Sequence, residues 1–231
     1  MKTLIAIATL VMSGAAFASP TTTLLPVKHV FSPSGFDSND NVEVMVSGYL
    51  PDLCHKAPNA KVKVFGNKIF VQVEAIKEDE TVFCPQVVLP FLTPVSVGML
   101  DKGNYEVVVN PGSSTESTSN IKIAESTSAA IDDYIYANVN YVEQDANTRV
   151  VTLKGYNPSP CFELDQIKHT NNKADTYSVL PVLKQVTAFC PEKMVPFTYK
   201  WTVPKELNRE EVLLHVRVMD GKSVNTLFED R

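Results

Sequence analysis

Four cysteines, four histidines and a scatter of carboxylates are the residues of this chain best able to do chemistry. Cys54, Cys84, Cys161 and Cys190 form no Cys-x-x-Cys pair and have no clustered histidines beside them, so they do not read as a zinc site. His29 and His215 fall in alternating, strand-like patterns and read as packing or surface residues. His55 follows Cys54 and reads as a solvated loop residue, with metal or partner binding as the alternative. Asp37-Ser38-Asn39-Asp40-Asn41 opens like a calcium loop. Val42 then stands where that loop wants glycine and Gly48 where it wants a bidentate Glu, which leaves a polar turn. Asp132-Asp133 and Glu78-Asp79-Glu80 are charge runs of the kind solvated in turns. There is no Gly-x-Ser-x-Gly, no His-Glu-x-x-His and no glycine loop to cradle phosphate. No catalytic residue, cofactor-binding residue or metal ligand is assigned, and the expectation is a non-enzyme without a cofactor.

The cysteines gain meaning when the chain is compared with itself. Gly48-Tyr49-Leu50-Pro51-Asp52-Leu53-Cys54 recurs as Gly155-Tyr156-Asn157-Pro158-Ser159-Pro160-Cys161, at an offset of 107 residues. Phe83-Cys84-Pro85, followed by Pro90-Phe91, recurs as Phe189-Cys190-Pro191, followed by Pro196-Phe197, at an offset of 106. Two equivalent domains with two cysteines each favour the disulfides Cys54–Cys84 and Cys161–Cys190. Each would close a loop worth roughly 3.5 kcal/mol in the chain-entropy model.

Both copies alternate like β-strands. Val27, His29 and Phe31 share one face, as do Val42, Val44 and Val46. Residues 61–65 and 68–73 flank Gly66-Asn67, a two-residue hairpin turn. Residues 87–97, 105–110 and 121–124 complete the first copy. The second has strands at 134–142, 149–153, 167–183 folded about Asn171-Asn172, 195–203, 212–219 and 226–228. Tyr199, Trp201 and Val203 fall on one face and read as core, with an exposed aromatic strip as the alternative. About seven short strands per hundred residues predicts an all-β chain of two tandem immunoglobulin-like β-sandwich domains, each with one internal disulfide; a small barrel would give a similar pattern. The domains are expected at 19–125 and 131–231, joined by a linker at 126–130.

Residues 1–18 predict a cleaved signal peptide. Lys2 precedes an apolar stretch from Leu4 to Met12, and Ala16-Phe17-Ala18 supplies a small-x-small cleavage pattern. That run is roughly half the length a membrane span needs, so no membrane insertion is expected after cleavage. The net charge of −5 becomes one unit more negative without Lys2, and no Lys/Arg cluster occurs, which argues against nucleic acid as a partner.

The motifs Gly-Tyr-x-Pro-x-x-Cys, Phe-Cys-Pro and Pro-Phe, followed by Gly103-Asn104-Tyr105-Glu106-Val107-Val108-Val109-Asn110, resemble repeats of uncharacterised exported bacterial proteins with Ig-like domains. The second copy departs from that pattern, with Arg209-Glu210-Glu211 where Gly-x-Tyr would stand. The resemblance implies an Ig-like fold and an envelope or extracellular setting, and it brings no activity. The expected function is that of a non-enzymatic exported binding or structural protein with a protein partner, periplasmic or extracellular. Alternatives are an inhibitor of an exported protease, and a hydrolytic enzyme with a site at the inter-domain cleft. The candidate binding loop comprises Leu50, Asp52, Leu53, His55 and Lys56, because a loop pinned by a disulfide has little ordering entropy left to lose on binding; the alternative is that the bridge only staples a small sandwich.

Overall fold

The computed structural model describes residues 21–78, 83–130, 132–207 and 209–229. The expected signal segment 1–18 and the pair Asp79-Glu80 lie outside them. Among the described residues there is no helix. The first half contains β1 (Thr21–Leu24), β2 (Val27–Phe31), β3 (Phe36–Asp37), β4 (Val42–Leu50), β5 (His55–Phe65), β6 (Lys68–Lys77), β7 (Leu89–Gly98), β8 (Gly103–Val109) and β9 (Ser117–Ala124). The second contains β10 (Asn138–Gln144), β11 (Val150–Asn157), β12 (Phe162–Asn171), β13 (Thr176–Gln185), β14 (Val195–Thr202), β15 (Glu211–Val218) and β16 (Lys222–Glu229).

In the first half, β2-β4-β7 forms one sheet, facing a larger sheet in which β5, β6, β8 and β9 lie side by side and β1 and β3 add short edges. In the second, β10-β11-β14 faces β12-β13-β15-β16, in the same order strand for strand. The parallel pairing of β6 with β8 recurs as that of β13 with β15. The chain is thus two tandem β-sandwiches. Period-two alternation builds each core. In β6, Ile69, Val71, Val73 and Ala75 turn inward against Val44 and Val46 of β4. In the second sandwich, Tyr199 and Trp201 pack against the core and Val203 is buried within it. Gly66 takes a left-handed φ of 57° at the β5–β6 turn, a conformation that costs glycine no Cβ clash. The β12–β13 turn is wider than the two residues expected: Asn172 Oδ1 accepts the N–H groups of Ala174, Asp175 and Thr176.

The repeated Gly-Tyr has a steric cause. β2 and β10 each bulge where they pair with β4 and β11. A Cβ on Gly48 would lie 2.3 Å from the Pro26 carbonyl oxygen, and one on Gly155 would lie 2.0 Å from that of Asn138. Only a bare backbone fits opposite the bulge.

The two sandwiches are stacked. β4 and β15 are buried along most of their length, on both faces. Phe31, Met45 and Leu213 fill the junction, with Leu92 and Leu227 packed against them; full burial of such a side chain contributes about 1.5–3 kcal/mol. The strands cross it in opposite senses. Asp40, ahead of β4, pairs with Arg217 near the end of β15. His29, beside Ser47 late in β4, reaches Asp175, whose carbonyl accepts the Leu213 N–H early in β15. Since each of these strands runs towards its own disulfide, the disulfides stand at opposite ends of the molecule.

Gly155→Ala should therefore destabilise by about 3 kcal/mol, the scale of an overpacked core site. Gly103→Ala, whose Cβ would first meet the Tyr105 ring at 3.3 Å, should cost under about 1 kcal/mol. Urea unfolding with the disulfides intact measures both, and equal midpoints would mean that the bulge relaxes.

Candidate binding surface

Each disulfide ties the loop after a central strand to the segment ahead of the next strand of the same sheet. Cys54–Cys84 has its Cα atoms 5.4 Å apart and Cys161–Cys190 has them 5.3 Å apart. The two loops close alike with different side chains. Asp52 Oδ1 accepts the Cys54 N–H at 2.9 Å, and the corresponding Ser159 Oγ accepts that of Cys161 at 3.4 Å. The Pro85 carbonyl accepts the Leu53 N–H at 3.2 Å. Pro160 has no N–H to offer Pro191, and Ser159 Oγ donates there instead, at 2.7 Å.

This changes the reading of the candidate loop. Asp52 and His55 are buried, because His55 Nδ1 donates to Asp52 Oδ1 at 2.7 Å and the pair closes the turn from within. That hydrogen bond holds the Asp52 carboxyl below its ordinary range. His55 already belongs to β5 and is no solvated loop residue. Leu50 ends β4 and packs against the core. Leu53 and Lys56 are exposed, Lys56 in an ion pair with Glu78. Asp52, Cys54 and Cys84 bring ligand-type atoms within 4.8 Å of one another, but both sulfurs are spent in the disulfide and offer no thiolate to a cation.

What the sequence reading missed lies on the other side of each bridge. Phe83 is 87% exposed and Phe189 81%, each immediately before the second cysteine. Tyr49, Leu53, Val87, Val88 and Leu89 are also exposed at the first end, and Tyr156, Val186 and Met194 at the second. The signal was present in the repeat: the Phe is kept between copies while the buried loop residue changes from Asp52 to Ser159.

The junction between the sandwiches gathers most of the buried ionisable groups. Glu43 Oε1 accepts Ser223 Oγ at 2.7 Å and Asn225 Nδ2 at 2.8 Å, while His215 Nδ1 donates to Asn225 Oδ1 at 2.8 Å. Arg217 also donates to the Gly35 carbonyl, at 3.2 Å, and its guanidinium lies 5.2 Å from the Phe36 ring centre. His29 Nε2 donates to Asp175 Oδ2 at 2.7 Å. Burial pushes the Asp175 carboxyl up, but hydrogen bonds from His29, Asn172 and Thr176 outweigh it and hold the group below its ordinary range. The calcium-like turn is consumed in the same structure: Asp37 Oδ1 accepts the Asn39 N–H at 3.1 Å and Asp40 Oδ2 the Asp37 N–H at 2.8 Å.

A family described as ORF11 beta-sandwich domain matches the chain over residues 44–119, within the first sandwich. No curated protein and no solved structure gives a significant match.

Two outcomes follow from these arrangements. Asp52→Ala leaves the Cys54 N–H and His55 without their acceptor and should cost about 1–3 kcal/mol, whereas Leu53→Ala should change stability by about 0.5 kcal/mol or less; thermal melting separates them, and equal losses would show that Asp52 is not a brace. At the junction, burial holds the His215 imidazole below its ordinary pKa, against the opposing pull of Glu43 at 3.8 Å. The unfolded chain takes up a proton below about pH 6.5 that the native state declines. Stability should thus be full above that pH and fall beneath it, by up to about 1.4 kcal/mol per pH unit. Urea titrations from pH 7.5 to 5 should show a shallower fall in His215→Gln, and an equally steep fall would assign the loss to other groups.

Proposed function

We propose that the protein is exported by its N-terminal signal sequence and acts in the periplasm or outside the cell as a non-enzymatic binding or structural protein, docking a protein partner at its disulfide ends. Two disulfides suit an oxidising compartment. The acidic balance and the absence of a Lys/Arg cluster favour a partner other than nucleic acid. The observation that carries the reading is the exposure of Phe83 and Phe189 beside the two bridges. A phenylalanine held in water on a rigid, cross-linked segment loses little conformational freedom on docking and gains the burial of its ring. Clusters of exposed apolar residues of this kind mark interaction sites. The ionisable groups that meet between the sandwiches are engaged with one another, which supports binding over hydrolysis at that cleft.

Leu53 favours one second reading. It projects from a loop fixed by the disulfide, the Asp52–His55 pair and the bond to Pro85, as a protease inhibitor's contact residue would.

The test is affinity capture from envelope and culture fractions with the mature protein and with Phe83→Ser/Phe189→Ser. The variant should melt as the parent does, within about 0.5 kcal/mol, and should lose the specifically captured proteins. Undiminished capture would sink the docking surface. Inhibition of an exported protease that Leu53→Glu abolishes would establish the second reading instead.

A further inference from the structure

β5 is an edge strand. Among the described residues it pairs with β6 alone, and no backbone group of residues 60–65 hydrogen-bonds a described residue outside β6. In such a strand every second residue turns its N–H and C=O groups away from the sheet. The register assigns the faces. Val62 and Val64 stand opposite the core residues Val71 and Ile69, whereas Lys61, Lys63 and Phe65 stand opposite Gln72, Phe70 and Lys68 on the outer face.

Three comparable edges are blunted. β7 and β14, at the edges of the smaller sheets, carry Pro90, Pro94 and Pro196, which withhold N–H donors. β12 is the counterpart of β5, and Glu206 covers its far end by accepting from His169 Nε2 at 3.5 Å and from Asn171 Nδ2. Glu206 precedes Leu207, which is buried in the second core. In the first core the buried residue after β7 is Leu100, and Met99 ahead of it is 72% exposed. β5 itself bulges between Lys56 and Asn59 but runs in regular register from Ala60 to Phe65. Val64 and Phe65 are left 43% and 81% exposed there.

Charge selects what this edge can accept. A second copy of β5, paired antiparallel about Val62, would set Lys61 opposite Lys63, and like charges directly opposite destabilise a sheet. An acidic strand meets the same lysines favourably. Lys61 shares Glu74 at 2.6 Å, and Lys63 has no ion pair with a described residue. On the core side, apolar residues of an added strand would cover Val64 and the rim of Val62. Because side chains alternate along a strand, the edge asks for acidic residues on one face of its partner and apolar residues on the other.

We propose that β5 from Ala60 to Phe65 is a docking edge for an extended segment of a partner polypeptide in which acidic and apolar residues alternate, added to the sheet as a further strand. Main-chain hydrogen bonds supply the affinity, and Lys61 and Lys63 select the acidic register. The edge runs along the flank of the first sandwich, away from Cys54, and does not depend on the docking argued for Phe83 and Phe189.

Fluorescence anisotropy of the mature protein with a dye-labelled peptide, Ser-Val-Glu-Val-Glu-Val-Ser, tests it, with Ser-Val-Lys-Val-Lys-Val-Ser as the charge-reversed control. Saturable binding of the glutamate peptide is expected, with slower amide hydrogen exchange in residues 60–65 on binding and weaker binding of the lysine peptide. Lys61→Glu with Lys63→Glu should weaken the glutamate peptide by about tenfold or more and reverse the preference, because two cross-strand pairs change from attraction to repulsion. In case losing the Lys61–Glu74 pair disturbs the strand, Lys63→Glu alone should weaken binding by about threefold at an unchanged melting temperature. Lys122→Glu, on β9, should leave binding as it is. No saturable binding, equal or tighter binding of the lysine peptide, affinity untouched by the β5 lysine variants, or binding without slower exchange at 60–65 would each overturn the proposal.

Discussion

β4 and β15 each bury both faces, and a strand buried on both sides needs a packed layer on each. Within its own sandwich β15 is covered on one side only, by β10, β11 and β14. The other side is closed by Phe31 and Met45 of the first sandwich. The polar residues of that side, His215 and Arg217, are buried too, and an ionised group in such a place must be matched. Asp40 answers Arg217, and Glu43 meets Asn225, which also holds His215. These partners lie some 180 residues away, Asp40 and Arg217 being 177 apart and Glu43 and Asn225 182. The two sandwiches are therefore one body in energetic terms. A charge left at the junction without its partner would destabilise both.

This dependence explains which features could be read from the sequence. The duplicated Gly-Tyr and Phe-Cys-Pro blocks identified equivalent cysteines, and symmetry then paired them. Period-two alternation located the β5–β6 hairpin, whose strands are half-buried, and Val42, Val44 and Val46 of β4, where polar Glu43 keeps the local pattern although both faces are covered. Strand ends were less legible: Val87 and Val88 alternate like strand residues, yet β7 begins at Leu89. The junction was hidden because alternation assigns one face to the core and the other to water, with no sign that a second layer covers the latter. The one local hint was the nearly unbroken run Val212-Leu213-Leu214-His215-Val216-Arg217-Val218, as in strands buried on both faces.

The candidate loop shows the limit at closer range. Asp52 and His55 are polar and flank a cysteine, which reads as a solvated loop. Their three-residue spacing is also what lets an imidazole reach back to a carboxylate across a tight turn. Sequence offers both outcomes, and the difference is one hydrogen bond. Comparing the copies would have separated them: Asp52 and Ser159 differ in charge but share an acceptor oxygen for the next cysteine's N–H, so their common role is closure. Phe83 and Phe189 share a ring that closes nothing.

The opposed stacking of the sandwiches has a consequence for tethering. β1 meets β6 at Lys77, beside Cys54, and β16 ends at Glu229 opposite Glu211, on the side where His29 and Asp175 meet. Both described chain extremities thus lie towards the Cys54–Cys84 end of the molecule. Anything attached through either of them, whether a neighbouring module, a surface or an affinity resin, crowds Phe83 and leaves Phe189 pointing away. The molecule has a proximal face and a distal face, and an immobilised sample will sample its partners chiefly through the distal one.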